Sequence, residues 1–194
     1  MPPLSSFVCL DFETTGWHSA NEYLPWQIGV ARFSGPGFAT VELYESLLNV
    51  PASHVFNPYT PGRWASLRDQ LESAPRLPML WPQLRPFLEQ GLLVAHNAAV
   101  ERGVLNAAFP VLNTEGRWLD TLKIARVAYP RQPGYALEDL AANLQYAPQL
   151  EQYCPGRKPH DALYDAVSCG LLLRSILAWP PWNALDAREL CEVR

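Results

Sequence analysis

Two acidic residues lie one position apart in a segment that otherwise has the composition of a buried strand. In FVCLDFETTGW, residues 7–17, Asp11 and Glu13 flank Phe12. Side chains at positions i and i+2 of a strand point to the same face, so the two carboxylates share a face and Phe12 points to the other. Charges this close repel each other, and a divalent cation would relieve the repulsion. Such a pair is also typical of a solvated strand end, so the metal-site interpretation needs further acids.

A third acidic residue lies in KPHDALYDAVSCGLLL, residues 158–173. If a helix begins near Asp161 as its cap, Asp165 falls on an otherwise apolar, core-facing stripe, where a carboxylate needs a partner. His160, just before the helix or at its start, is then free to swing over the site that Asp165 faces. The alternative is that Asp165 is a hydrogen-bonded buried aspartate without a catalytic role.

The fourth acid is in LLVAHNAAVERGVL, residues 92–105, where a buried strand leads into a helix. Glu101 lies on a mostly apolar stripe of that helix. By itself Glu101 is typical of a solvated acid on a helix. Beside three other acids, it is a candidate fourth member of the metal site.

Four carboxylates and one histidine together meet the requirements of phosphodiester hydrolysis. Carboxylate oxygens suit Mg²⁺ or Mn²⁺, and two such ions about 4 Å apart can stabilise the attacking and leaving oxygens. A histidine with a pKa near neutrality can deprotonate the attacking water. The set of Asp11, Glu13, Glu101, Asp165 and His160 therefore predicts a two-metal hydrolytic site.

The pattern of apolar residues predicts the elements that must position this set. Strands are predicted at 7–10, 26–33, 40–48, 92–95 and near 117–119, and helices at 77–88, 98–109, 120–128, 137–144 and 161–177. The SGPG link at 34–37 predicts a hairpin, which makes the first three strands antiparallel. Strands followed by alternating strands and helices predict an α/β domain with a mixed five-stranded sheet flanked by helices. The proline-rich segment up to residue 75 has no legible element.

Composition limits the classes of protein. With 194 residues, 48% of them hydrophobic, we expect a single domain, with a core at about 6–178 and a C-terminal extension at 179–194. A net charge of −4 argues against a wholly basic nucleic-acid surface, although bound cations would supply local positive charge. No apolar run approaches the roughly 20 residues of a membrane span, so we expect a cytoplasmic protein that does not associate with a membrane. The four cysteines lack C-x-x-C spacing and are expected to be free thiols.

Three segments resemble the motifs of the DEDDh 3′–5′ exonucleases, the family of the bacterial proofreading epsilon subunit and ribonuclease T. They are DFETTG, HNAAVERGVL and HDALYDA, in the family's order and at familiar intervals. The resemblance implies a ribonuclease H-like fold and release of nucleoside 5′-monophosphates from a 3′ end with two Mg²⁺ or Mn²⁺ ions. It also implies single-stranded or 3′-end nucleic acid as partner, with DNA favoured over RNA, and a possible polymerase or repair partner.

The resemblance further implies roles for individual residues. Asp11 would bridge both metals, Glu13 and Asp165 would hold the metal that binds the attacking water, and His160 would be the general base. The backbone after Glu13 would meet the terminal nucleotide and its 3′-hydroxyl. The expected substrate-binding residues are Phe12, Thr14, Thr15, Gly16, Trp64, His96, Asn97, Arg157 and Lys158.

The chain departs from the family pattern in two places. Glu101 stands where the family usually has aspartate, which keeps the charge but moves it by one methylene and leads us to expect a shift toward Mn²⁺. In the segment 51–75 the family's T-G-I or H-G-I element cannot be aligned. Tyr59, Arg63 or Trp64 could stack on a base there, although a tryptophan in a proline-rich loop is more often a packing anchor.

Two alternatives stay open at the level of the sequence. Arg157 and Lys158, which precede His160, could contact phosphates or could be ordinary solvated surface. The chain as a whole could be a catalytically weak or inactive nucleic-acid-binding or polymerase-associated module that keeps the fold. Glu101 is the only motif residue that favours the inactive module.

Overall fold

A five-stranded mixed sheet forms the centre of the computed structural model, which describes residues 4–17, 23–89 and 91–193. The strands are β1 (Ser6–Thr14), β2 (Pro25–Ser34), β3 (Thr40–Leu47), β4 (Leu92–Ala95) and β5 (Trp118–Asp120). Their order is β3-β2-β1-β4-β5, with β1, β2 and β3 antiparallel and β4 and β5 parallel to β1. This topology confirms the predicted α/β class and the ribonuclease H-like arrangement.

Eight α-helices surround the sheet within the described ranges. They are α1 (Trp64–Ser73), α2 (Trp81–Leu88), α3 (Ala99–Ala108), α4 (Thr121–Ala128), α5 (Leu137–Asn143), α6 (Ala147–Tyr153), α7 (Ala162–Leu177) and α8 (Ala187–Cys191). None of the helices in this part of the chain is long and apolar enough to cross a bilayer.

The alternation of β1 divides the core into two layers. Phe7 and Cys9 belong to a buried cluster that includes most of the apolar face of α7, whereas Val8, Leu10 and Phe12 belong to a second cluster with residues of α2 and α3. Because side chains alternate along a strand, the row that begins with Phe7 and Cys9 continues with residues 11 and 13. The two acids of β1 therefore lie on the α7 side, as the spacing predicts.

Gly29 allows α7 to approach the sheet closely. It pairs with Asp11 across the β1–β2 ladder. A Cβ at Gly29 would lie 2.2 Å from the backbone carbonyl of Ala162, far inside van der Waals contact. The first turn of α7, which carries Asp165, therefore lies directly over the row of β1 that carries the acids.

Three helices were not predicted. The helix α1 buries only Leu67 and Leu71, so its apolar pattern is too short to recognise between prolines. The helices α6 and α8 have seven and five residues, and each buries a single leucine. In α8 that residue is Leu190, which is 1% exposed and belongs to the α7-side cluster.

The predicted helix 77–88 was wrong as a single element. It consists of a 3₁₀ turn at Leu77–Leu80 followed by α2, and each piece has proline in its first turn. A proline there loses no helical hydrogen bond, but it cannot continue a preceding helix. The four cysteines are free thiols, as expected, and Cys9, Cys154 and Cys169 are buried.

The close approach at Gly29 predicts the effect of adding a methyl group. We expect Gly29→Ala to lower the free energy of unfolding by about 2–3 kcal/mol, because backbone rather than a flexible side chain occupies the space. Urea denaturation measures the change. Gly103→Ala in α3 is the matched control: its Cβ would meet only the Tyr23 hydroxyl at 3.9 Å, and the substitution should raise stability by up to about 1 kcal/mol. A Gly29→Ala protein as stable as the wild type would contradict the packing argument.

Candidate active site

Three elements bring the four acids to one end of the sheet. Asp11 and Glu13 lie on β1, paired with Gly29 and Gln27 of β2. Glu101 lies in the first turn of α3 and Asp165 in the first turn of α7. The carboxylates are close enough for each of the β1 acids to sense the charges of both helical acids.

Because the carboxylates are buried and lie near other anions, their ionised forms are disfavoured in the absence of a cation. Burial, followed by the charge of Asp165, raises the pKa of Glu13 to about 8. Burial also raises the pKa of Glu101 and that of Asp165 to about 7 each. The pKa of Asp11 is raised well above its ordinary value by burial and then by the charges of its three neighbours. A carboxylate pKa rises when its charged form is poorly solvated and lies beside other anions.

His160 lies at the mouth of the acidic cluster. One side-chain ligand atom from each of Glu13, His160 and Asp165 lies within 4.8 Å of the other two. The backbone N–H of His160 donates to Asp165 Oδ2 at 2.9 Å, and its side chain is 47% exposed. The ring Nε2 also lies 4.0 Å from Glu138 Oε2 on α5, a residue that the motifs do not indicate.

The donor set fits hard divalent cations. Glu101 is only 4% exposed and accepts the backbone N–H of Phe12, yet its Oε2 atom is buried without a hydrogen-bond partner. A buried carboxylate oxygen left without a partner is costly unless a cation binds it. Oxygen donors from four carboxylates match the coordination that Mg²⁺, Mn²⁺ and Ca²⁺ prefer. The cluster can therefore hold divalent metal.

The end of β1 is held by hydrogen bonds from residues 54–60. Thr15 is fully buried, and its carbonyl accepts Asn57 N–H at 2.9 Å and the Thr60 hydroxyl at 3.2 Å. Gly16 follows with a positive φ of 70°, and a Cβ there would lie 2.1 Å from Thr60 Oγ1. The hydroxyl of Thr14 accepts a weak hydrogen bond from the N–H of Gly16, at 3.4 Å. The backbone that the motif predicts to meet a nucleotide is therefore rigidly supported.

His54 contacts the end of β1, which the sequence did not indicate. Its Nε2 lies 3.1 Å from Thr15 Oγ1, and the same hydroxyl accepts the Leu24 N–H at 2.9 Å. Three Nη2 hydrogen bonds from Arg68 of α1 to carbonyls of residues 51, 52 and 54 fix this loop. The only sequence signal was a histidine in the segment where the resembling family carries an H-G-I element.

A comparison with protein-family models identifies the family of this chain. The model of the RNase T type, described as exonuclease, matches residues 8–172. The chain belongs to the exonuclease family. The matched range includes every residue of the acidic cluster and His160.

Relatives of this exonuclease-family chain include much longer proteins. The PolC-type DNA polymerase III of Oceanobacillus iheyensis is 29% identical over 171 residues, which cover 87% of this chain and 11% of that protein. The Bacillus subtilis PolC-type polymerase is 26% identical over 178 residues, covering 89% of this chain and 11% of that protein. The chain thus spans about a tenth of the length of these relatives.

Solved structures share the fold of this exonuclease-family chain. E. coli exonuclease I in complex with a dT13 oligonucleotide has a TM-score of 0.66 at 16% identity, covering 91% of this chain and 42% of that one. The complex of the same protein with dA16 also has a TM-score of 0.66, at 15% identity, covering 93% and 42%. At such identities the likeness establishes the fold.

Several predicted substrate-binding side chains have other contacts in this exonuclease-family structure. Phe12 is 6% exposed and packs in the core. Trp64 stacks on Phe56 with ring centroids 4.4 Å apart, and its Nε1 donates to the Thr60 carbonyl, so this ring is a packing anchor. The ring of His96 contacts Thr121 Oγ1 at 3.0 Å and the Tyr135 carbonyl at 2.8 Å. Nucleotide contact by the side chains of Phe12, Trp64 and His96 stays a prediction, and the structure adds no support for it.

The remaining predicted residues lie nearer the surface. Asn97 is exposed, adopts a positive φ of 65°, and donates its N–H to Asp120 Oδ1 at 2.9 Å. Arg157 is engaged with Glu45 and Asp161, at 2.6 and 2.8 Å. Lys158 is exposed beside His160. Phosphate contact by Arg157 and Lys158 stays a prediction, with Lys158 the better placed of the two.

Two exposed aromatic rings flank the end of β1. Trp17 directly follows Gly16 and is 72% exposed, and its carbonyl accepts the Asn57 amide at 2.8 Å. Tyr59, next to Thr60, is 91% exposed. Trp17 also borders an apolar groove of about 580 Å³ whose other wall is formed by α3. Aromatic surface therefore adjoins the supported backbone.

The raised pKa of Glu13 predicts how stability depends on pH. A glutamate with an ordinary pKa of 4.5 when unfolded and about 8 when folded binds more protons in the folded state. The free energy of unfolding of the metal-free protein should therefore fall as pH rises from about 4.5 to 8. Thermal melts in EDTA across this range measure the fall, and a divalent ion held by the ionised carboxylates would reduce it.

Glu13→Gln and Glu72→Gln make the matched pair for this measurement. Glu13→Gln removes the titrating group, so its melting temperature in EDTA should depend less steeply on pH. Glu72 is exposed on α1, and its replacement should leave the wild-type slope. Equal slopes for all three proteins would contradict the assignment.

Proposed function

We propose that the chain is a metal-dependent 3′–5′ exonuclease that removes nucleoside 5′-monophosphates one at a time from a DNA 3′ end. The observation that carries the proposal is the gathering of four carboxylates and His160 from β1, α3 and α7 at one end of the sheet. Membership of the exonuclease family supports the reaction class.

We assign the carboxylates of Asp11, Glu13, Glu101 and Asp165 to the binding of two divalent cations, Mg²⁺ or Mn²⁺. When bound, the cations stabilise the negative charge that develops on the attacking and leaving oxygens. The protein contributes the rigid spacing of the acids, since β1 and the first turns of two packed helices fix their backbones. The unpartnered Oε2 of Glu101 supports its inclusion despite the longer side chain.

His160 is the proposed general base. A neutral ring nitrogen accepts a proton from the attacking water while the oxygen bonds to the terminal phosphorus. The bond from phosphorus to the 3′ oxygen of the preceding nucleotide breaks, that oxygen takes up a proton from solvent to become a free 3′-hydroxyl, and the 5′-monophosphate is released. The ring is half-exposed and adjoins Glu13 and Asp165, so a proton taken up there can pass on to solvent.

The supported backbone at Thr14 and Thr15 is proposed to seat the terminal nucleotide. The exposed rings of Trp17 and Tyr59 suit stacking on unpaired bases, which favours a single-stranded end over a duplex. The PolC-type DNA polymerases and the oligonucleotide complexes of exonuclease I support DNA over RNA. Association with a polymerase is a further part of the proposal, supported by the same PolC-type relatives.

The first test follows the polarity of digestion and the role of His160. With Mg²⁺ or Mn²⁺, a 5′-labelled single-stranded DNA should give a ladder that shortens from the 3′ end. His160→Ala should lower kcat by about 10²–10⁴-fold, the usual contribution of a general base. Asp11→Ala and Asp165→Ala should abolish turnover without unfolding the protein, as circular dichroism would verify.

The controls separate substrate from activity. Glu72→Gln should digest at the wild-type rate, and matched duplex DNA and RNA should be digested more slowly than single-stranded DNA. Absence of a ladder on every substrate with both metals would contradict the proposal. Calorimetry showing no divalent-ion binding in the same protein would then favour the inactive module.

The second test concerns Glu101. Glu101→Gln should weaken Mn²⁺ binding by at least about tenfold, because it removes the charge of a buried oxygen donor. Glu101→Asp restores the usual residue of the family and should raise the ratio of Mg²⁺-supported to Mn²⁺-supported activity. Titration calorimetry measures the first change and single-strand digestion the second. Unchanged Mn²⁺ affinity in Glu101→Gln would remove Glu101 from the metal ligands.

A further inference from the structure

In the loop before α7, the backbone of His160 adopts a strained conformation that needs support from its surroundings. Its φ is +65°, in the left-handed region that residues other than glycine rarely adopt. Its N–H donates to Asp165 Oδ2, and its ring lies beside Glu13. A strained residue keeps such a conformation only where its surroundings impose it.

The next residue, Asp161, is the point at which several elements converge. Its carboxylate is 7% exposed and accepts Arg63 Nη2 at 3.1 Å, Arg157 Nη1 at 2.8 Å and Gln27 Nε2 at 3.3 Å. It also caps α7 by accepting the Tyr164 N–H at 3.5 Å. By contrast, Asp120 at the cap of α4 accepts the backbone N–H groups of Asn97 and Leu122, so capping by itself does not require the arginine contacts of Asp161.

Gln27 links Asp161 to the catalytic row of the sheet. It lies on β2 opposite Glu13 and is 1% exposed. Its Nε2 donates to Asp161, and its Oε1 accepts the Ala162 N–H at 3.3 Å. Asp161 and Ala162, where the loop meets α7, are therefore both hydrogen-bonded to β2, opposite Glu13.

Arg63 links Asp161 to the segment that supports the end of β1. It directly follows Gly62, where a Cβ would lie 3.0 Å from the His160 carbonyl. Two residues before Gly62, the Thr60 hydroxyl donates to the Thr15 carbonyl. One short segment thus contacts both the proposed nucleotide seat and the histidine loop.

The charge of Asp161 is preserved in this environment. Burial by itself would raise the pKa of Asp161, but hydrogen bonds from Arg157 and Gln27 bring it below its ordinary value. Arg157 in turn is held by Glu45 on β3 at 2.6 Å. The carboxylate is therefore ionised and paired, unlike the acids of the metal cluster.

We propose that Asp161, paired with Arg63, is a positioning residue that fixes the His160 loop against β2 so that the imidazole stays beside Glu13 and Asp165 during attack by water. The proposal rests on the proposed function, in which His160 is the general base. Asp161 acts through His160, so its replacement affects the rate of the proton transfer rather than the affinity for the nucleotide.

The first experiment replaces Asp161 by asparagine, which caps helices as well as aspartate does but carries no charge for the two arginines. Asp161→Asn should lower kcat by about tenfold and change KM by less than about twofold. Asp186→Asn, at the cap of α8, is the matched control and should have wild-type kinetics. Wild-type kcat in Asp161→Asn would overturn the proposal.

A double-mutant cycle distinguishes positioning from general destabilisation. In a His160→Ala background, Asp161→Asn should cause no further loss of kcat, because the group through which it acts is absent. The same tenfold loss in both backgrounds would mean a merely structural role and would overturn the proposal.

Hydrogen exchange tests the anchoring without relying on activity. In Arg63→Met, the amide N–H groups within residues 157–164 should exchange about tenfold faster or more, since Asp161 loses one of the donors that hold the loop and local opening becomes easier. Arg85→Met is the matched control, because the Arg85 side chain is about as exposed as that of Arg63, at 60% against 53%, and its ion-pair partner is Glu89, the C-cap residue of α2. Equal exchange in the two variants would overturn the anchoring. An inactive wild-type protein would instead contradict the proposed function, and the exchange data would still decide whether Arg63 and Asp161 hold the loop.

Discussion

The packing of four carboxylates into a small, largely buried volume is the constraint on which the rest of this structure depends. Solvation is poor there, and the charges of Glu101 and Asp165 raise the pKa of both Asp11 and Glu13. Hydrogen bonds from the backbone compensate only in part: Glu101 accepts an N–H from Phe12, and Asp165 accepts one from His160. With pKa values raised to about 7 and 8, the cluster becomes fully anionic near neutral pH only when cations bind it, which ties the stability of the site to its proposed chemistry.

Within the described residues, the fold meets this constraint by fixing backbones rather than by adding positive side chains to the cluster. The sheet sets the spacing of the two β1 acids, and Gly29 lets the first turn of α7 lie directly over them. Arginines occur nearby, but Arg63 and Arg157 pair with Asp161. In the proposed roles, the ion-pair network around Asp161 holds the His160 loop, and the separate acidic cluster binds metal.

Much of this arrangement could be predicted from local pattern. Alternation placed Asp11 and Glu13 on one face, the apolar stripe of α7 pointed Asp165 inward, and the cap position placed His160 outside the helix. The antiparallel pairing of the first three strands followed from hairpin punctuation, and the mixed α/β sheet from the later alternation of strands and helices. Where the pattern was short or interrupted by proline, as in α1 and at residues 77–88, the prediction missed or merged elements, because too few residues are buried to produce a period.

By itself the sequence determined the candidate residues for the chemistry and which face of each element they occupy, since both depend on spacings of two to four residues. Only the tertiary structure decided what supports them. The contact between His54 and Thr15 joins residues 39 positions apart, and that between Arg63 and Asp161 joins residues 98 apart. Such pairs have no period along the chain, because they form only when the sheet and α7 bring distant loops to the same edge.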